Sequence, residues 1–494
     1  MAARANLSRS DNTGPLYLVI DQGGHASRAS LFNRQGELLS LAAIPIEAQV
    51  NGAGHVEYPA ERLLQSIQQA IHEAVTSPNI KLTDIVAAGM ATQRANVACW
   101  DRITGAPLAP LISWQDRRAA DWIEKFRGDQ SQIHQATGLF LSPHYGVGKL
   151  QWCIEKLPAV AAAAQQQRLC WGPMSSYLLH QLLDQKPYLV DHVNASRTLL
   201  WNIRTLAWDP ALIALFSLPD IPLPQPVPNR YAYGSLTISG HSIPMMMVTG
   251  DQSASLFAWQ ELRDEALYIN IGTGAFIQRV IRSGCEIRAT LLTSLLLQQH
   301  GRAHYALEGT VNGAGSALSW IEQQLQPENL FQQLPLWLKS NDCPLLFING
   351  ISGLGSPYWQ ADVDSQFIGE GDEQQKVVAV IESIAFLLQV NIEQLQLHQP
   401  AASKILMSGG LAQLDGLCQR IADLSGLSIL RMAECEATAR GVAWLLARPA
   451  AESPASPEVR WRSDTMPPIT PDRNPALIKR YQRWKIAMEE AIKT

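Results

Sequence analysis

The chain has 494 residues, 47% of them hydrophobic and 17% charged, with a formal net charge of −5. That length exceeds a single core and implies two or three domains, and the balance is that of a folded globular protein rather than a disordered or fibrous one. The charge gives no support to a nucleic-acid partner, no apolar run reaches the roughly 20 residues of a membrane helix, and seven scattered cysteines without a Cys-x-x-Cys pair argue against zinc and disulfide frameworks.

In chain order, residues 1–15 are polar and lack the apolar centre of a secretory signal, which reads as a loose tail and a cytoplasmic address. LYLVIDQGGHASRASLF follows. Leu16 to Ile20 is an apolar strand, Asp21 to Gly24 a turn, and Arg28 to Asn33 a returning strand. A glycine turn exposes successive N–H groups to an anion, and Asp21 at the strand end suits Mg²⁺ through water. Taken alone, a turn aspartate bonded to its own backbone explains the same residues. From Glu61 the stripe Leu63, Leu64, Ile67, Ala70, Ile71, Ala74 and Val75 predicts a helix.

IVAAGMATQ and NVACWDRITG predict two strands joined by a turn at Gln93-Arg94. The segment then runs to WQDRR, where Trp114 beside Gln115, Asp116, Arg117 and Arg118 is the combination that packs on a sugar face and bonds its hydroxyls. A core tryptophan and solvated arginines fit equally. GVGK, Gly146 to Lys149, lacks the leading glycine and the Ser/Thr of a P-loop, and no Gly-x-Gly-x-x-Gly opens a helix, so neither a P-loop nucleotidase nor a Rossmann dehydrogenase is supported. His25, His55 and His144 show no metal-like spacing.

The proline-rich PDIPLPQPVPNR places a domain junction near Pro244, dividing 16–244 from 245–448. In GDQSASLFAW, Asp251 is either a helix N-cap or a carboxylate that accepts a proton from an attacking hydroxyl. LYINIGTGA at Leu267 reads as a weak second copy of LYLVIDQGG, which suggests two phosphate loops. GISGLGSPYW and SGGLAQLDG are glycine segments that allow a ligand close to the backbone, with a helix from about Lys376 to Leu397 between them. Residues 449–494 form a tail that ends in a charged amphipathic helix.

Several of these segments match one pattern in order. DQGGHASRASLF, GMATQRANVACWDRITGAPLAPLISWQDRR, GDQSASLF, IGTGAF, YALEGTVNGAGSALSW, GLGSPYW, VIESIAF and SGG through ECEATARGVAW resemble the FGGY carbohydrate kinases, nearest their glycerol kinase branch, across roughly 16 to 448. The resemblance implies an α/β protein of two ribonuclease-H-like, actin/hexokinase-type domains with ATP and a small sugar or polyol in a cleft between them. It implies Asp21 as the Mg²⁺ aspartate and Asp251 as the general base. Gly23, Gly24, His25 and Arg28 fall on the first phosphate hairpin, Thr273 and Gly274 on the second, Gly315 on the nucleotide-lining segment, and Gly410 beside adenosine. Arg94, Trp114, His144 and Gln252 fall on acceptor-contacting positions. A homodimer or larger homo-oligomer is compatible with this reading and not required by it.

Departures from the glycerol kinase pattern matter for the substrate. Their glutamate after Q-R is Ala95, and their substrate tyrosine aligns with His144, which favours a longer polyol or a ketose over glycerol. Two hairpin threonines become Gly24 and His25, the aspartate of D-G-G becomes Ser408, and an adenine-side asparagine becomes Leu414. These changes keep open a second reading, a degenerate member that binds nucleotide or sugar with little turnover.

Overall fold

The computed structural model describes residues 14–493 apart from 283, 328, 340–344, 399, 434–435, 449–460 and 462–464. Most of the expected N-terminal tail, and much of the stretch leading to the C-terminal helix, therefore lie outside the described residues. The chain divides into two units. The first runs to Glu261 and takes in Ser294–Tyr305 and Thr438–Arg462; the second takes Leu262–Thr293, Ala306–Ala437 and the C-terminal stretch from Ser463.

The first unit is built on β1 (Leu16–Gln22), β2 (Ala26–Asn33), β3 (Leu38–Pro45), helix α1 (Ala60–Val75), β4 (Ile85–Thr92), β5 (Val97–Asp101), helix α2 (Gly146–Lys156), β6 (Arg230–Ile238), β7 (His241–Gly250) and helix α3 (Asp251–Leu256). Its main sheet has the order β6-β7-β4-β1-β2-β3. β1 runs antiparallel to β2 and parallel to β4, and β4 runs parallel to β7. Every residue of β1 is buried, which is why it reads as a continuous apolar run rather than an alternation. The buried stripe of α1, Leu63, Ile67, Ala70, Ile71 and Ala74, joins the same core. A smaller five-stranded sheet contains β5.

Pro244, where the sequence places a junction, lies inside β7. It pairs with Ser235 of β6, and β7 enters the ladder beside β4 only from Met245. The missing N–H is tolerated because that part of the strand is bonded on one side. The strand then continues to Gly250, so Asp251, expected in the 245–448 domain, belongs to the first unit.

From Leu262 on the chain forms β8 (Ala266–Ile271), β9 (Ala275–Ile281), β10 (Leu292–Gln299), β11 (Arg302–Val311), helix α4 (Gly315–Leu325), helix α5 (Glu373–Gln396), β12 (Lys404–Ser408), helix α6 (Asp415–Ser425), β13 (Ser428–Arg431) and helix α7 (Pro475–Ala491), all in the second unit except β10 from Ser294 and β11 up to Tyr305, which belong to the first. The sheet order is β10-β11-β9-β8-β12-β13. Hairpin β8–β9 with parallel β12 and β13 repeats the arrangement of β1–β2 with β4 and β7.

Helix α5 opens on a capping box in which Asp372 and Gln375 satisfy each other's backbone N–H. Among the described residues it is the one helix long and apolar enough to cross a membrane, yet most of that stretch is buried inside the protein. Its Glu382, 1% exposed, accepts from Arg420 Nε of α6 at 3.1 Å and from Arg480 Nε and Nη2 of α7 at 2.8 and 2.7 Å. One carboxylate thus fastens three helices. Glu382→Ala strands two buried guanidinium groups and is expected to cost about 3–5 kcal/mol, read as a lower urea midpoint for the second unit.

Candidate active site

The register of the parallel ladder builds the site in the first unit. Gln22 of β1, Thr92 of β4 and Gly250 of β7 lie level, so the chain leaves three neighbouring strands at one edge. Asp21 stands one residue before that level, Asp251 one after, and Gln93 and Arg94 follow Thr92. By ordinary strand spacing the backbones of β1 and β7 are about 10 Å apart. The carboxyl ends of parallel strands are where open α/β sheets receive ligands.

Asp21, expected in the turn, is the sixth residue of β1, because pairing continues through Gln22 and Ser27. It is buried, and Arg28 Nη1 across the hairpin lies 3.6 Å from its Oδ2. The turn shrinks to Gly23, Gly24 and His25, with His25 exposed at its tip. All three turn carbonyls are engaged. Gly23 O accepts from Gln93 Nε2 at 3.0 Å, Gly24 O from Tyr58 Oη at 3.1 Å, and His25 O from the Ile46 N–H at 3.0 Å. Among the described residues no acceptor pairs with the N–H groups of Gly24 and His25, which, with Arg28, are the groups suited to an anion.

Arg94 is buried and crosses the backbone just before Asp251: a Cβ on Gly250 would lie 2.6 Å from its Cγ. Asp251 opens α3, and its Oδ1 accepts from the Gln252 N–H at 2.7 Å. Gln252 Oε1 and the hydroxyls of Thr92 and Thr249 are buried without a hydrogen-bond partner among the described residues. Orphaned polar atoms gathered at the ends of β4 and β7 mark a place for water or ligand.

Trp114 and His144 form a second patch, with ring centroids 5.1 Å apart at an interplanar angle of 50°. The Trp114 N–H donates to Asn96 Oδ1 at 2.7 Å. Burial, then the nearby cations Lys149, Arg117 and Arg197, push the pKa of His144 down to about 3, so the ring is neutral at ordinary pH. Lys149 of α2 is fully buried, and its Nζ donates to Ala95 O at 2.9 Å and His144 O at 2.7 Å. Burial pulls its own pKa down to about 7.

In the second unit, hairpin residues Gly272 and Thr273 are held by the start of α4. Gly315 N–H donates to Gly272 O, and Ser316 N–H to Thr273 O, each at 3.0 Å. A Cβ on Gly315 would lie 2.6 Å from Gly272 O, so glycine is required for this approach. Asn270 Nδ2 donates to Ser408 Oγ at 3.0 Å across β8 and β12. Beyond β12, Gly409 has φ +96° and a Cβ there would lie 2.5 Å from Ile271 O, whereas Gly410 has open space around it. Thr273, Gly274, Gly315 and Gly410 therefore gather at the ends of β8 and β12, while the other expected site residues lie on the first unit.

Among the described residues no three His, Cys, Asp or Glu side chains converge on a closed metal cage. A hard cation such as Mg²⁺ does not need one, because it retains waters and takes one or two carboxylates plus ligand phosphates. Asp21 at the edge of the ladder, beside the anion-suited turn, fits that requirement.

Sequence reasoning passed over Tyr58 and Gln93, whose contacts brace the turn from distant segments, and over Lys149, which it read only as a failed P-loop lysine. The available signal was a lysine within the apolar run Val147, Leu150 and Cys153.

Residues 16–258 match the N-terminal domain of the FGGY family of carbohydrate kinases, and 267–450 match its C-terminal domain. A protein named glycerol kinase from Streptococcus pyogenes serotype M28 (strain MGAS6180) is 32% identical over 445 residues, 87% of each chain. In fold, the chain is similar to a Plasmodium falciparum glycerol kinase with ADP, with a TM-score of 0.82, 21% identity and coverage of 97% and 99%. A ligand-bound xylulose kinase from Lactobacillus acidophilus gives 0.81, 20% identity and coverage of 96% and 97%.

The depressed pKa of His144 sets a pH expectation. The unfolded imidazole binds a proton below about 6.5 and the folded one only near 3, so its stabilising share is complete above 6.5 and is lost as pH falls toward 3. In ¹³C-histidine spectra the His144 signal should hold constant from pH 8 to about 4, and His144→Gln should flatten the acid limb of stability in that window.

Proposed function

The chain belongs to the FGGY family of carbohydrate kinases, and from that premise we propose that it phosphorylates a hydroxyl of a polyol or ketose longer than glycerol. Family membership gives the coarser activity, phosphorylation of a sugar or polyol with ATP and Mg²⁺. The curated relatives are named glycerol kinase, and the reading departs from that name on two residues. The observation that carries it is Ala95. Held at φ +63°, it offers one methyl group where the glycerol kinase pattern has a carboxylate. His144, a neutral imidazole against Trp114, stands for the tyrosine of that pattern. Loss of a buried hydrogen-bonding partner costs about 1–3 kcal/mol, enough to change preference tenfold or more.

On this reading Asp251 accepts the proton of the attacking hydroxyl, helped by its place at the strand edge beside the Arg94 stem. Arg94, Trp114 and His144 orient the acceptor, and the orphaned Gln252 Oε1 accepts from one of its hydroxyls. Phosphate oxygens meet the N–H groups of Gly24 and His25 and the Arg28 guanidinium. Asp21 would hold Mg²⁺, which when bound would supply positive charge against the phosphates. Thr273, Gly274, Gly315 and Gly410 line the nucleotide. The retained aspartates favour turnover over binding alone.

ADP release across C3 to C7 polyols, ketoses and aldoses tests the proposal. Turnover should be highest on a compound longer than three carbons, and preference for glycerol over all of them would overturn the acceptor reading. Silence across the panel despite ATP binding would favour a sugar- or nucleotide-responsive binding protein. With the preferred compound, Asp251→Asn is expected to lower kcat at least ~10²-fold while calorimetry shows acceptor binding retained. Ala95→Glu with His144→Tyr should move the kcat/KM ratio toward glycerol by roughly tenfold or more.

A further inference from the structure

We propose that Lys149 is a positioning residue for the acceptor: by bridging the carbonyls of Ala95 and His144 it locks together the two loops that carry Arg94 and His144. The inference rests on the acceptor-side reading of those residues. Lys149 lies on α2, 0% exposed, and among the described residues it makes no ion pair. The nearby carboxylate, Asp116, is taken by Arg118 Nη2 at 2.7 Å and by the Val56 N–H at 2.6 Å. A buried ammonium without a carboxylate is costly, so its hydrogen bonds must fix something of value. They end on carbonyls 54 and 5 residues away, one on each loop.

The first of those carbonyls belongs to Ala95, a non-glycine residue at φ +63°. The left-handed conformation is disfavoured for alanine and persists only when its surroundings hold it. Lys149 grips the carbonyl on one side of that residue, while the Arg94 stem lies along Gly250 on the other. The second carbonyl, on His144, sets the level of the ring that packs on Trp114. Arg94, Trp114 and His144 come from three separate loops, and a single side chain ties two of them.

The test compares the two Michaelis constants of the full-length enzyme. Lys149→Met keeps the volume of the side chain and removes its donors. It should raise the acceptor KM at least tenfold and leave the ATP KM within twofold, because the bonds of Lys149 end on Ala95 and His144 and on none of the residues assigned to phosphate or nucleotide. Lys149→Gln, which keeps an amide donor for one carbonyl, should give a smaller rise of the same kind and serves if the methionine variant does not fold. Amide exchange of residues 93–97 and 143–147 should quicken in either variant, while β4 and β7 keep their protection. A folded variant with an unchanged acceptor KM, or with both constants raised alike, overturns the proposal. Trp114→Ala is the control: if it too leaves the acceptor KM unchanged, the acceptor-side reading itself has failed, whereas a rise in Trp114→Ala alone sinks only the role of Lys149.

Discussion

The parallel pairing of β1, β4 and β7 is the constraint on which the first unit's chemistry depends. A slip of one residue would turn a strand's side chains to the opposite face and move Asp21 and Gln22 off their present level with Ala91 and Thr92. With register fixed, Asp21, Arg94 and Asp251 arrive at the same edge although 230 positions separate the first from the last. β8 and β12 do the same for Thr273 and Ser408 in the second unit. The candidate residues sit on or just beyond strand ends, where the backbone is held to the ladder on one side and uncommitted on the other.

Charge is taken into the interior in three different ways. Glu382 is shared between two arginines, and Asp116 is held by Arg118, which also reaches Glu57 at 2.8 Å. Both arrangements satisfy carboxylate and guanidinium with short, multiple bonds. Lys149 instead gives its ammonium to backbone carbonyls, as the buried Arg279 gives its guanidinium. Near it burial, and after burial Lys149, Arg117 and Arg197, depress the basicity of His144, which makes the ring a neutral hydrogen-bonding surface rather than a charge.

Much of the architecture was legible because its signals are local. The strand–turn–strand at Leu16, its echo at Leu267 and the long stripe of α5 depend on residue order within a few turns. The FGGY resemblance then gave order to glycine and tryptophan segments that singly favoured bland readings. Local signals failed where the determinant was a distant partner. Pro244 looked like a boundary because nothing nearby reveals that Ser235 pairs with it while β4 begins its contacts only at Met245. Tyr58 reaches Gly24 over 34 residues, and Lys149 reaches Ala95 over 54. Of two adjacent glycines, only the fold shows that Gly409, with its positive φ and its close approach to Ile271, is the one that requires the residue type.

Ala95 has a consequence for how acceptor preference changes over descent. Its backbone is pinned by a carbonyl contact made from helix α2, and that contact ignores the identity of its side chain. On the acceptor reading proposed above, exchange between alanine and a longer polar residue on an unaltered loop would alter what is offered to a hydroxyl without rebuilding the frame beneath it.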